Sequence, residues 1–124
     1  MEEDLNQLTE KIIGCAIEVH WNLGPGLLES LYESAMCVEF ELNGIAYERQ
    51  VPIPVSYKGH NIGEHRLDIL VENAIILELK SVDRYDPIFE AQLLSYLKLT
   101  GKHVGLLINF NRGLLKDGIK RIML

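Results

Sequence analysis

The sequence is short of the features that would settle its class at a glance. Its 124 residues include two cysteines, one tryptophan and 7% aromatic residues in all. Two cysteines cannot staple a disulfide scaffold. No second Cys or His stands at ligand spacing beside Cys15 or Cys37, which argues against a zinc site. Both fall on apolar helical faces, so buried, reduced thiols are expected. No apolar run approaches the roughly 20 residues that span a bilayer. The opening "MEEDLNQLTE" is acidic and helix-like, unlike a signal or transit peptide. Repeats, low-complexity segments and linkers are missing too. The expectation is a soluble, cytoplasmic protein with one domain over residues 1–124, no membrane partner and a core of ordinary size.

Positive charge is also scarce, and unevenly so. The chain holds 12 Lys and Arg against 18 Asp and Glu, a net charge of −6. Residues 1–48 carry ten acids and one base, a balance of −9, while residues 49–124 carry eight acids and eleven bases, a balance of +3. A solvated acidic helical layer accounts for the first half, and a separate basic face in the second stays open. Lys58, Arg84, Lys98, Lys102, Arg112, Lys116, Lys120 and Arg121 are candidate phosphate contacts. No basic patch is interleaved with aromatics, so base recognition has no visible support.

What is abundant is apolar residue in changing period. Leu5, Leu8, Ile12, Cys15 and Val19 recur every three or four positions and predict a helix over residues 4–22. "NLGPG" stops it. A second helix follows, with Leu28, Leu31, Ala35, Val38 and Leu42 as its expected inner face and Asn43-Gly44 as its end. The period then falls to two. Residues 47–57 read as a strand placed at an edge by Pro52 and Pro54, and "YKGHN" as a turn. Residues 65–71 and 75–82 read as two further strands. Asp86-Pro87 starts a helix that Gly101 stops. "HVGLLINF" is a buried strand and "IKRIML" a short last one. The order ααβββαβ(β) predicts a mixed α/β fold whose crossover helix leads into a strand parallel to an earlier one. His20 is expected at a core boundary.

Three charges stand where the sheet core should be. Asp68 lies between Leu67 and Ile69, and Glu78 and Lys80 interrupt the run from Ala74 to Leu79. Buried charge is costly unless it pairs or binds something. Glu78 and Lys80 share a face because strand side chains alternate. Asp68 joins them only in one register. A two-residue turn at Glu72-Asn73 pairs positions summing to 145 and sends Asp68 to the other face. A three-residue turn over 72–74 gives a sum of 146 and sets Asp68 opposite Glu78, with Asn73 or Ala74 adopting the turn geometry. In that register two carboxylates converge beside a lysine, a donor set suited to Mg²⁺ or Mn²⁺ with a phosphate substrate. The competing expectation is a buried Asp68–Glu78–Lys80 ion network without chemistry.

Asp68, nine intervening residues and then Glu78-Leu79-Lys80 on the next strand resemble the metal motif of the PD-(D/E)xK nuclease superfamily, with "RLD" where the motif's name leads one to expect Pro-Asp. The strand order resembles that superfamily's restriction-endonuclease-like core, and Gly26, Glu29 and Tyr32 in "GLLESLY" are similar to the signature of its small GxxExxY branch. The resemblance implies Mg²⁺-dependent phosphodiester hydrolysis of nucleic acid, DNA before RNA. It makes Asp68 and Glu78 metal ligands and Lys80 the catalytic lysine, and it adds Glu29 as a third acidic ligand, direct or through water. Gln92 and Tyr96, at i and i+4 on the crossover helix with Ile88 and Leu99 in the same stripe, resemble a glutamine–tyrosine helix beside such sites, where Gln92 would hold a water or a phosphate and Tyr96 support it. Tyr32 would pack over the site, hold Glu29 or join the core. So small a nuclease has little surface to grip a duplex, which suggests a homodimer or a helper protein. A non-enzymatic nucleic-acid-binding or protein-interaction module that keeps the fold is the alternative, and hydrolysis of a small phosphoester a third reading.

Overall fold

A computed structural model describes residues 2–124. The chain runs α1 (Glu2–Leu23), α2 (Glu29–Leu42), β1 (Tyr47–Tyr57), β2 (His60–Val71), β3 (Ile75–Lys80), α3 (Ile88–Thr100), β4 (Val104–Asn109), a short 3₁₀ turn (Leu115–Gly118) and β5 (Ile119–Met123). The five strands form one mixed sheet in the order β1-β2-β3-β4-β5. Neighbours are antiparallel except β3 and β4, which run parallel because α3 carries the chain back between them. The expected mixed α/β order, including the short last strand, is the order found. β1 lies at an edge, as a strand containing Pro52 and Pro54 requires.

Turn chemistry sets the registers. Lys58 and Gly59 both take positive φ (48° and 80°), the pair of conformations a two-residue hairpin turn demands. Between β2 and β3 the turn is Glu72-Asn73-Ala74, with Val71 opposite Ile75 and Leu70 opposite Ile76. Paired positions therefore sum to 146, the register of the three-residue turn. Of the two positions expected to take the turn geometry, Asn73 is the one that adopts positive φ, and Glu72, for which no such conformation was expected, adopts it too. The Glu72 conformation is held from both ends: its N–H donates to Ala46 O, and its Oε1 accepts from Ala46 N–H, each at 2.9 Å.

The two faces of the sheet are unequal. One is covered by α1 and α2 over the larger core, which includes Ile12, Val19, Tyr32, Met36, Phe40, Ile69, Leu77, Leu79, Leu106 and Phe110. The other is covered by α3 over a smaller cluster of Ile53, Leu67, Leu70, Ile76, Leu93, Tyr96, Leu97 and Leu107. Close approach of α3 depends on Gly105 of β4: a Cβ there would meet the Leu93 side chain at 2.8 Å. Asp86 starts α3 by accepting the Ile88 N–H (3.0 Å), and Gly101 ends it at φ 72°.

The inner face expected for α2 is overturned. Of its five residues, Leu28, Leu31, Val38 and Leu42 are exposed and only Ala35 packs, partly buried, against the core; the buried residues are Tyr32, Glu33, Met36, Cys37 and Phe40. Both sides of α2 are rich in apolar residues, so spacing alone could not choose. Tyr32 makes the choice. Its ring stacks on Phe110 at 4.4 Å, and its hydroxyl donates to Gly24 O (2.5 Å) and accepts from Leu27 N–H (3.2 Å), stapling the "GPG" loop to the core. Cys15 and Cys37 are buried free thiols, and burial raises the pKa of each. His20 sits at the core boundary, with Nε2 2.7 Å from Arg112 O.

Candidate active site

The ladder between β2 and β3 ends at Ile69 opposite Leu77. One residue further, where Asp68 and Glu78 would pair, side chains replace the backbone bonds. Glu78 Oε2 accepts the Asp68 N–H at 3.0 Å, and Asp68 Oδ2 accepts the Leu79 N–H at 2.7 Å. Each carboxylate thus reaches across to the other strand and is fixed by one oxygen. Among the described residues, Asp68 Oδ1 and Glu78 Oε1 accept no hydrogen bond, and no unpaired side-chain polar atom there is buried from solvent, so both oxygens are accessible.

The pair is electrostatically undercompensated. Glu78 is 7% exposed. Burial and then the Asp68 charge push its carboxyl up to about 8, against the opposing pull of the Asp68 N–H and Lys80. Asp68 is raised as well, first by burial, with the Leu79 N–H opposing it and the charges of Glu33 and Glu29 adding to it. Two carboxylates that repel each other in a low-dielectric setting hold a proton or a cation.

Lys80 shares the α3 side of β3 with Glu78 but is not spent in neutralising it. The ion pairs among the described residues are Arg49–Glu33, Arg66–Glu64 and Lys120–Glu90. Lys80 Nζ instead lies 4.5 Å from the centroid of Phe89 on α3. The closed Asp68–Glu78–Lys80 ion network does not form.

The remaining sequence-derived residues are placed unequally. Glu29 opens α2 beside the end of β3, and its Oε1 accepts the Ser81 N–H at 3.4 Å. Tyr96 adjoins the carboxylates: burial, then Glu78 and Asp68, raise its phenol to about 12, and its ring stacks on His65 at 4.0 Å. Gln92 lies one turn earlier on α3 and is exposed. Ile88 and Leu99 are half exposed, so the stripe they were expected to complete is buried only at Tyr96. Tyr32 contacts the core and the 24–27 loop, and reaches Glu29 only by fixing where α2 starts. Among the described residues, no group of three or more His, Cys, Asp or Glu stands close enough to hold a metal ion.

Four residues that the sequence did not single out shape this region. Ser81 Oγ donates to Leu27 O (2.6 Å), tying the chain after Lys80 to the start of α2. Asn109, 2% exposed, pairs with both the N–H and the C=O of Val82 (3.1 and 3.0 Å) and so orders the exit from β3. Glu33 is buried, and Gln50 takes φ 49° in the middle of β1. No local pattern marks Glu33 or Gln50, because their partners are distant in sequence.

Compared with known protein families, residues 6–122 match the PD-(D/E)XK nuclease superfamily. The match covers nearly the whole chain, and the chain belongs to that superfamily, whose members are generally nucleases dependent on a divalent metal. No curated protein and no solved structure matches it. The donor set fits such a metal: Asp68 and Glu78 each keep one hard carboxylate oxygen open, which leaves the other coordination positions to water and phosphate.

Proposed function

We propose that this chain hydrolyses phosphodiester bonds in DNA with Mg²⁺ or Mn²⁺, as a member of the small GxxExxY branch. The observation that carries the reading is the Asp68–Glu78 pair, two like charges each with one oxygen open and neither paired with the nearby Lys80. A divalent cation held there supplies a more acidic water and neutralises charge developing at phosphorus. Asp68 and Glu78 are its protein ligands. Their remaining oxygens are locked by the Leu79 and Asp68 N–H groups, so the open pair is oriented before anything binds. Lys80, held over Phe89 and free of an ion pair, orients the attacking water and stabilises the phosphorane-like charge. Glu29, whose Oε1 accepts the Ser81 N–H just past Lys80, contributes through water. Gln92 contacts a phosphate or a water from α3, and Tyr96 backs the carboxylates from the same helix.

The test is cleavage of single- and double-stranded DNA and RNA with Mg²⁺, Mn²⁺ or EDTA, with Asp68→Ala purified in parallel. DNA cleavage that needs metal and falls by about a thousandfold or more in the mutant is expected. Cleavage surviving in Asp68→Ala would remove the site from the mechanism. Cleavage confined to RNA would keep the site and change the substrate.

A further inference from the structure

Apart from a bulge near the hairpin end, where the register shifts between Val55 and Ser56, the rung that should contain Asp68 is the irregular one in the β1–β2 ribbon. Paired positions sum to 118 from Tyr47↔Val71 to Val55↔Gly63, with one rung missing: Gln50 and Asp68. The sum is the same on both sides, so no residue has been inserted. The faces have exchanged instead. On one side of the gap, Arg49 reaches Glu33 of α2 while its partner Ile69 lies in the α1–α2 core. On the other side, Val51 and its partner Leu67 pack in the α3 core. Residues two apart in a regular strand share a face. Here they do not, on either strand, so the ribbon turns over at the Gln50–Asp68 rung.

Three bonds to a single carboxylate hold β1 at that point. Glu33 Oε1 accepts from Gln50 Nε2 at 2.7 Å, and Oε2 accepts from Arg49 Nη2 and Nε at 2.9 and 3.1 Å. Gln50 is a non-glycine residue at positive φ, a conformation that persists only where the surroundings impose it. Glu33 is 8% exposed, and Arg49 compensates its charge. Across the rung, Asp68 turns its carboxylate toward the Leu79 N–H.

We propose that Glu33, gripping Arg49 and Gln50, is a positioning cluster that locks the turnover of the β1–β2 ribbon and thereby aims Asp68 at Leu79 and Glu78. Without it, β1 relaxes to a regular strand, the rung closes, and Asp68 leaves its place beside Glu78. The consequence for metal binding rests on the function proposed above. The aim of Asp68 does not, so two readouts separate the ideas.

The experiment is hydrogen exchange of the Leu79 amide by NMR on metal-free protein, together with Mn²⁺ titration, for wild type, Gln50→Val, Glu33→Gln and Glu33→Gln/Gln50→Gly. A β-branched residue resists positive φ, whereas glycine takes it without an anchor. Gln50→Val and Glu33→Gln should each expose the Leu79 amide about tenfold or more relative to Leu77 and weaken Mn²⁺ binding about 10- to 100-fold. Adding Gln50→Gly to Glu33→Gln should restore most of both. A cluster that merely stabilised the fold would loosen Leu77 and Leu79 alike, and the glycine would not rescue. If Gln50→Val does not fold, Glu33→Gln and its rescue carry the decision. Unchanged Leu79 protection in the folded variants overturns the proposal. A wild type that binds no Mn²⁺ but whose Leu79 amide responds as stated keeps the positioning cluster and removes the metal.

Discussion

The two faces of the sheet divide the protein's tasks. On the α1–α2 side Ile75, Leu77 and Leu79 of β3 point into an apolar core closed by Tyr32, Met36, Phe40 and Phe110. One residue out of phase, Ile76 points into the smaller α3 cluster, and Glu78 and Lys80 follow it on that side, beyond its apolar part. A six-residue strand therefore presents stability to one layer and charge to the other. Substitutions on the two faces should fail in opposite ways.

The largest effect expected is on the closed face. Phe110→Ala removes a buried ring stacked on Tyr32 and should cost about 3–5 kcal/mol in urea unfolding. Asp68→Asn should abolish cleavage yet leave the urea midpoint at or above that of wild type, since it removes a buried charge that has no ion-pair partner among the described residues. A joint fall in stability and activity for both variants would mean that the faces are not separable.

A second contrast is in pH. Glu78 is raised from 4.5 to about 8 by burial and by Asp68. Between those values the native chain holds a proton that the unfolded chain has released, so its stabilising contribution is complete below about 4.5 and is lost as pH rises through 8. Glu78→Gln keeps an acceptor for the Asp68 N–H without the charge. In EDTA its melting temperature should exceed that of wild type increasingly from the lower value to the upper, by about 10–20 °C at the alkaline end. Mn²⁺ should narrow the gap by stabilising wild type alone. A constant gap across that range would mean that Glu78 is ionised throughout.

The sequence made the order of elements and the β2–β3 register legible because both follow from local rules. Strand parity places Glu78 with Lys80, and Asn73 tolerates the turn that brings Asp68 opposite. The turnover of β1–β2 was hidden for the same reason. Leu67, Ile69 and Val71 alternate with Asp68 and Leu70 as in any half-buried strand, yet Leu67 and Ile69 face different layers. Glu33 reads as one more acid on an acidic helix, and only Arg49 and Gln50, on the next element, show why it is buried. Glu29, Gln92 and Tyr96 could be placed near the site by resemblance alone, since no pattern within α2 or α3 distinguishes them from ordinary helix positions.

The smallest expected effect concerns α2, the helix that buries the face its spacing did not predict. α2 carries two apolar stripes, Tyr32, Met36 and Phe40 inward and Leu28, Leu31, Val38 and Leu42 outward. Hydrophobicity does not distinguish them, but burial does: Met36 is 0% exposed and Leu42 is 75% exposed. The transfer energy of a side chain counts only for the area removed from water, so the outer stripe should contribute almost nothing to folding. Met36→Ala should cost about 2–5 kcal/mol. Leu42→Lys and Val38→Lys should each change stability by no more than about 0.5 kcal/mol in dilute solution. The measurement is urea unfolding at two protein concentrations. A loss above about 1 kcal/mol for the lysine variants, growing with concentration, would mean that the outer stripe is covered when the protein is in solution. Equal unfolding at both concentrations would leave α2 as a helix whose second apolar face is simply tolerated in water.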